Sequence, residues 1–366
     1  MRAPRWWKIG VSLVGVALVA SACPGDSNGD NAQQQQQSTL QEVTSRGTLN
    51  CGVNNAVPGF GFQDEGGDFQ GFDVEFCRVV AAAVLGDADA VEFSPLTTEQ
   101  RFPAVQGRQV DVLIRNTTWT SSRDGTEGLS FATTTFYDGQ GMMVKADSEF
   151  ESLEDLDGTT ICVLSATTTE LNLTAQLDAI GVDFEPLSLS SIDDIQPAFI
   201  RDQCQAWTSD KSQLAGLRSN WPQRRGGPDG LRILDVTMSK EPLGPVTRDG
   251  DSDWFDAVNW AVIATIQAEE FGITSSNVDQ IRDTTDNPEI VRFLGLEIES
   301  EEGQAPAPFD SGLDLPTDFA YQVIKQVGNY GEIYDRTVGP DTTLGVERGV
   351  NEIWTEGGLL YAPPYR

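Results

Sequence analysis

Histidine is missing from all 366 residues, and basic side chains are scarce: 24 Lys plus Arg face 56 Asp plus Glu, a formal charge of −32. Imidazole is the side chain that titrates near neutral pH, so its absence removes Ser-His and Cys-His nucleophile activation and every His-ligated metal site. So acidic a surface repels a phosphate backbone, which excludes nucleic acid as a partner. The five cysteines include no CxxC pair, which argues against structural zinc. No GxGxxG follows a strand pattern and no GxxxxGK[ST] occurs, so dinucleotide and P-loop sites are not expected. Neither a metal nor a cofactor is expected, and no catalytic residue is assigned. Sequence repeats of solenoid period are also missing.

What is present suits an exported protein of about two domains, with 39% hydrophobic residues to build more than one core. Residues 1–22 have a basic start (Arg2, Arg5, Lys8), an apolar run from Ile9 to Ala20, and small residues before Cys23. This pattern reads as a signal peptide; the apolar run is short for a membrane span. Its removal leaves 21 basic against 56 acidic side chains, a formal −35. Ala20-Ser21-Ala22-Cys23 also resembles a bacterial lipobox, in which Cys23 is lipidated; the alternative is ordinary cleavage near Ala22. An acidic protein would then hold the membrane through acyl chains and not through a basic patch. Residues 23–45, with PGDSNGDNAQQQQQS at their centre, have too few apolar side chains to repay ordering and read as a disordered tether. Cys51, Cys77, Cys162 and Cys204 remain, an even number that favours disulfides in an exported chain. Three pairings are open, the simplest keeping each bridge within its own half, and four buried thiols are the alternative.

From Arg46 onward strands and helices alternate. TLNCGV reads as a strand, NNAVPGFGF as a loop, and FDVEFCRVVAAAVLG as a helix closed by Gly86. AVEFSPL, EQRFPAVQGR and VDVLIRN continue as strand, short helix and strand. A second set follows SLEDLDG: TTICVLS, TTTELNLTAQLDAIG, FEPLSL, SIDDIQPAFIRDQ and CQAWTSD. Such βαβ order predicts parallel, helix-covered sheets in two α/β lobes. LRILDV and LGPVTR are extended segments around Ser239-Lys240-Glu241-Pro242. Helical periodicity then dominates, in WFDAVNWAVIATIQAEEFG, NVDQIRDTT and DFAYQVIKQVGNYGEIYDRTVG, with Trp254, Trp260 and Trp354 assigned to the core. Gly59-Phe60-Gly61 reads as a place where backbone approaches a ligand or a neighbouring lobe.

The chemistry concentrates where strands end. VDVLIR closes at Arg115 and runs into Asn116, Thr117, Thr118, Thr120, Ser121, Ser122 and Arg123, and ligands of open α/β sheets bind beyond the carboxyl ends of strands. Arg123 can make two parallel bonds to a carboxylate; the bland alternative pairs it with Asp124 or Glu127. Ser165-Ala166-Thr167-Thr168-Thr169-Glu170 turns a strand into a helix whose first N–H groups favour an anion. The same residues also fit a Thr167/Glu170 capping box. Asp210 ends CQAWTSD, where it can meet a cation or cap the helix after it. One half thus offers an Arg and hydroxyls, the other amides and an Asp, a set complementary to an α-amino acid zwitterion.

CGVNNAVPGFGF, GFDVEFCRVVAAAV, VDVLIRNTTWTSSRD, FYDGQGMMV, SLEDLDG, TTTELNL, SKEPLGP, AEEFGIT, KQVGNYGEIYDR and GGLLYAPPYR occur in this order. Together they resemble the extracytoplasmic solute-binding proteins of polar amino-acid ABC importers, most closely the general L-amino-acid-binding proteins. The resemblance implies an α/β, two-lobed periplasmic-binding-protein-like fold of type II, with two crossover hinge strands and a helical C-terminal extension. Lobe 1 would comprise residues 46–142 and 243–366, and lobe 2 residues 143–242. It implies a monomer that closes on a free L-amino acid and docks on the transmembrane permease subunits. Arg123 would grip the ligand carboxylate with Thr118 and the backbone of Thr168, next to Thr167. Asp210 would meet the ammonium with Asn116. Asn54, Val57 and Phe60 would face the ligand side chain, with Trp119 and Arg115 nearby. Ala166 stands where the family usually has Gly, and the neutral Asn54 stands where relatives selective for cationic ligands carry an acid, which implies breadth or a preference for polar uncharged ligands. The alternatives are an enzyme on the same scaffold, such as a dehydratase, and a sensory lipoprotein.

Overall fold

The computed structural model describes residues 37–298 and 305–366; the signal peptide assigned to residues 1–22 and the lipidation expected at Cys23 lie outside them. Helix α1 (Thr39–Arg46) opens the fold, capped by the Ser38 hydroxyl. It buries Leu40 and Val43, and the Thr39 N–H and hydroxyl donate to Asp251 at 3.0 and 2.6 Å. The expected tether over 23–45 therefore ends earlier than its composition suggested: two apolar side chains and a buried carboxylate are enough to order residues 39–45.

Lobe 1 begins with β1 (Leu49–Val53), a small meander of β2 (Ala56–Val57), β3 (Gly61–Gln63) and β4 (Phe69–Gln70), and helix α2 (Phe72–Leu85), which ends at Gly86 with φ 70°. There follow β5 (Val91–Pro95), α3 (Arg101–Gln106), β6 (Val112–Leu113), α4 (Ser121–Gly125) and β7 (Leu129–Phe131). Strand β8 (Phe136–Asp138) leads out of the lobe, and β9 (Gln140–Lys145) already belongs to the second sheet. The boundary expected at 142/143 thus falls three residues late, since β9 starts at Gln140.

Lobe 2 continues with β10 (Thr159–Leu164), α5 (Thr168–Ile180), β11 (Phe184–Leu189), α6 (Ile192–Ile200), β12 (Ala206–Asp210), α7 (Lys211–Ser219) and β13 (Leu231–Ile233). The chain returns through β14 (Glu241–Leu243), which pairs antiparallel with β8, and enters lobe 1 as β15 (Val246–Arg248). The two sheets have matching plans: β5-β1-β6-β15-β7 and β11-β10-β12-β9-β13. In each, three strands run parallel and the fourth, contributed by the crossing chain, is antiparallel. Disulfides Cys51–Cys77 and Cys162–Cys204 each tie a strand to its own lobe.

The C-terminal extension packs on lobe 1. Helix α8 (Ser252–Glu270) buries Trp254, and α9 (Val278–Thr284) and α10 (Pro288–Phe293) follow. The last periodic run divides into α11 (Phe319–Gln326) and α12 (Tyr330–Thr337), because Gly328 takes φ 102° and Asn329 forms a capping box with Glu332. Tyr330, Tyr334, Phe72, Phe76, Phe60 and Phe136 interlock with centroids about 5 to 6 Å apart. Trp354 does not join the core as expected; it lies in a short 3-10 turn, 53% exposed, against Tyr361. Among the described residues no helix is long and apolar enough to cross a membrane. Phe72 touches five aromatic neighbours, so Phe72→Ala is expected to cost about 3–5 kcal/mol, read as a lowered urea midpoint with the m-value kept.

Candidate functional site

Both sheets turn the carboxyl ends of their strands toward the same place. Asn54 follows β1, Thr98 follows β5, and Arg115, Asn116 and Thr118 follow β6 in lobe 1. Leu164 ends β10, Thr167 to Thr169 follow it, and Ser209 and Asp210 end β12 in lobe 2. With Arg101, Arg123 and Gln213 these residues line a single cavity of about 20 Å³. The lobes are therefore closed on one another, around a space of single-water size.

Cross-lobe bonds hold this arrangement. The Asn116 side-chain amide donates to Gln213 Oε1 at 3.0 Å and to Asp210 Oδ2 at 3.4 Å, and Arg101 donates to the Ala166 carbonyl at 3.2 Å. The Asn54 amide donates to Asn116 at 3.4 Å, while its own oxygen accepts the Asn55 and Ala56 N–H groups. Gly216 on α7 allows the approach: a Cβ there would lie 2.3 Å from the Pro58 carbonyl oxygen. The inter-lobe contact at Pro58 thus rests on Gly216, whereas Gly59 and Gly61 of the loop lie close to Leu344 and to the Asn54 carbonyl within lobe 1, so the loop glycines do not take the inter-lobe role read from the sequence.

Arg123 pairs with neither Asp124 nor Glu127. Its Nη1 donates to the Thr118 carbonyl at 2.7 Å, and its guanidinium lies over Phe102, whose ring also carries Arg101. Arg115 Nε donates to the Leu96 carbonyl at 2.7 Å. All three arginine residues are more than nine-tenths buried. Burial depresses each of them, most strongly Arg101, which is also repelled by Arg123 and Arg115, while Arg115 falls to about 10. Asp210 makes no side-chain cap on α7. Its carboxyl is pushed well up by burial first, then by Asp138 and Glu241, against the Asn116 bond. Among the described residues no His, Cys, Asp or Glu cluster could hold a metal ion.

Two positions carry backbone strain. Asn116 has φ 33°, and its N–H is held by Asp73 Oδ2 at 2.7 Å. Ala166 has φ 58°, the left-handed region in which Cβ is unfavourable. Thr167 caps α5 as expected, but Glu170 returns to the Ala166 N–H at 2.9 Å instead of closing a box on Thr167. The first-turn N–H groups of Thr168 and Thr169 have no intrahelical acceptor, and both residues line the cavity.

Of the residues expected at the ligand, Arg123, Thr118, Asn116, Asp210, Thr168, Thr167, Asn54 and Arg115 are brought together. Val57, Phe60 and Trp119 are not among the lining residues. Val57 and Phe60 are fully buried in lobe 1, Phe60 against Phe72 and Phe136: the meander closes its apolar side chains inward. Trp119 is 45% exposed and stacks on Phe131 beside a different cavity. The sequence reading missed Arg101, Thr98, Leu164, Thr169, Ser209 and Gln213. Gln213 stands three residues after Asp210, a helical spacing that could have marked it; Arg101, inside a short helix, carries no comparable sign.

Residues 49–274 match the model of the bacterial extracellular solute-binding proteins, family 3. The chain belongs to this family. It is 43% identical over 328 residues to the general L-amino acid-binding periplasmic protein AapJ of Rhizobium johnstonii, covering 90% of this chain and 93% of the relative. It is 44% identical over 329 residues to the glutamate/glutamine/aspartate/asparagine-binding protein BztA of Rhodobacter capsulatus, covering 90% and 94%. A solved ABC transporter periplasmic binding protein from Brucella ovis with glutathione bound is 42% identical, with a TM-score of 0.83, covering 90% of this chain and all of the other. This family member therefore has the two-lobed type II fold and the extracytoplasmic, transport-linked setting expected from its motifs.

Two outcomes follow from the strained and buried groups. Ala166→Gly is expected to raise the unfolding free energy by about 1 kcal/mol, and an unchanged or lower value in urea denaturation would show that Ala166 carries no strain. Burial pushes Asp73 up to about 6 from 3.8. The folded state thus holds its proton more tightly than the unfolded one, and the associated stability, full below about pH 4, is lost as pH rises through 6. Asp73→Asn is expected to remove about 3 kcal/mol of this decline, visible in denaturation series from pH 4 to 7.

Proposed function

We propose that this family member is the solute-binding component of an ABC importer, which takes a free L-amino acid between its lobes and delivers it by hinge closure. The carrying observation is that Arg123 and Asp210, from opposite lobes, line one cavity. Arg123, assisted by the first-turn N–H groups of α5, is suited to the α-carboxylate, and Asp210 with Asn116 to the ammonium. At about 20 Å³ the cavity admits an amino acid only after the lobes part, and the β8–β14 pair is the hinge that permits it.

The charge balance of the wall narrows the class. Arg101, Arg115 and Arg123 face it against Asp210, and none of the three arginines forms an ion pair among the described residues. A ligand with two carboxylates and one ammonium complements this wall better than a neutral amino acid; the names of the relatives include acidic amino acids but also neutral ones. A second cavity of about 280 Å³ shares Asn54, Thr98, Arg115 and Leu164 with the first, and it would receive a longer ligand such as glutathione. The role is binding without chemistry, since the named relatives are binding proteins and the one acid on the wall is committed to the ammonium. Docking on permease subunits, attachment through a lipidated Cys23 and a monomeric state complete the reading.

Calorimetry with a panel of L-amino acids and glutathione tests it. L-glutamate or L-aspartate is expected to bind most tightly, and Arg123→Ala to abolish binding across the panel, at a cost of roughly 3–5 kcal/mol. Affinity like that of the unmodified protein in Arg123→Ala would overturn the assignment.

A further inference from the structure

The hinge strand carries a carboxylate that no part of the reading above uses. Glu241 opens β14, opposite Asp138 of β8, and is only 1% exposed. Its Oε2 accepts the hydroxyls of Thr118 at 2.6 Å and Thr168 at 2.8 Å. Its Oε1 accepts the Asn172 amide at 3.0 Å and the Ser239 hydroxyl. Thr118 comes from lobe 1, Thr168 and Asn172 from α5 of lobe 2, and Glu241 from the segment that joins the lobes.

A threonine hydroxyl has one proton and two lone pairs. An acceptor-only carboxylate that receives the proton leaves only lone pairs for a ligand. The two hydroxyl oxygens lie 3.4 Å apart and both residues line the cavity. We propose that Glu241 is a positioning residue of the binding site: it takes the hydroxyl protons of Thr118 and Thr168, so that both present acceptors to a ligand ammonium and neither can serve the ligand carboxylate. This rests on the amino-acid reading and revises it in one respect, since Thr118 was expected to help Arg123 with the carboxylate. On the proposal the carboxylate has Arg123 and main-chain N–H groups, while the ammonium has Asp210 and two oriented hydroxyls. Glu241 touches neither end of the ligand itself.

The alternative is that Glu241 only ties the hinge to α5, which would weaken all ligands alike. Glu241→Gln separates the two. The amide keeps the length of the side chain; its oxygen goes to the Oε1 corner, where the Asn172 amide requires an acceptor, so its nitrogen faces Thr118 and Thr168 at the Oε2 corner, donates to both hydroxyls and turns their protons toward the cavity. The probes are L-glutamate and L-2-hydroxyglutarate, which differ only in having an ammonium or a hydroxyl on the α-carbon, measured by competition calorimetry.

In the unmodified protein L-glutamate is expected to be favoured. In Glu241→Gln that preference ratio should shrink by about tenfold or more, the value of a charge-assisted hydrogen bond. Thr168→Val removes one hydroxyl and leaves Glu241 its other donors; it should shrink the same ratio about threefold or more. Equal weakening of both ligands, with the ratio unchanged in either variant, overturns the assignment while the amino-acid reading stands. Failure of the unmodified protein to bind L-glutamate or any other amino acid overturns both.

Discussion

Removing a guanidinium from water costs several kcal/mol unless the protein supplies acceptors in return, and this chain withdraws three of them into one place. Arg101, Arg115 and Arg123 are each compensated by a main-chain carbonyl, from Ala166, Leu96 and Thr118 respectively. Two of the cations also lie within cation–π distance of the Phe102 ring, at 4.7 and 5.2 Å from its centroid. That is less than a guanidinium with five donors can use, and the Arg101 Nε is left buried with no partner. The fold tolerates the deficit because the strands of both sheets end here and their carbonyl ends point at the cations. All three arginines line the cavity between the lobes, and on the proposed reading a ligand carboxylate there would supply acceptors that the folded protein alone does not.

This local balance runs against the chain as a whole, whose formal charge is −32. The two facts do not conflict, since at physiological ionic strength exposed charges are screened beyond about 8 Å, whereas groups held between the lobes interact across low-dielectric protein. Net charge therefore argues about solubility and about partners that touch the surface. It says little about what the cleft prefers.

The repeating strand–helix plan was legible in the sequence because periodicity, caps and turns act locally. TTICVLS, CQAWTSD and the Gly86 stop appear where their patterns place them; Asp210 ends β12, and Arg123 lies in the short helix α4 that follows the polar stretch after β6. The errors have a common source, which is that burial of a loop or terminal residue depends on segments far away. Val57 and Phe60 pack inward because α2 and β8 lie over them. Trp354 stays exposed because the helical spacing around it forms only a short turn. α1 is ordered by Asp251, more than two hundred residues later. Glu241 belongs to the same class: nothing near it in sequence except Ser239 marks it, and its other three donors come from residues 118, 168 and 172.

The hinge adds a constraint of its own. Asp138 and Glu241 are cross-strand neighbours where the chain passes between lobes, and Asp210 is close enough to be raised by both. Burial pushes Asp138 up to about 6, against its bonds from Ser212 and Gly139 and with a further push from Glu241. Three carboxyl groups thus converge where closure occurs, and two of them, Asp138 and Asp210, are less willing to ionise than they would be in water. A ligand can shift the open–closed balance only through contacts that differ between the two states. On the proposed reading an ammonium beside Asp210, whose charge these neighbours influence, makes such contacts in the closed form, where both lobes surround it, and it meets only one lobe's share in the open form. On this account the acidic hinge is what makes closure answer to the charge of the ligand and not merely to its bulk.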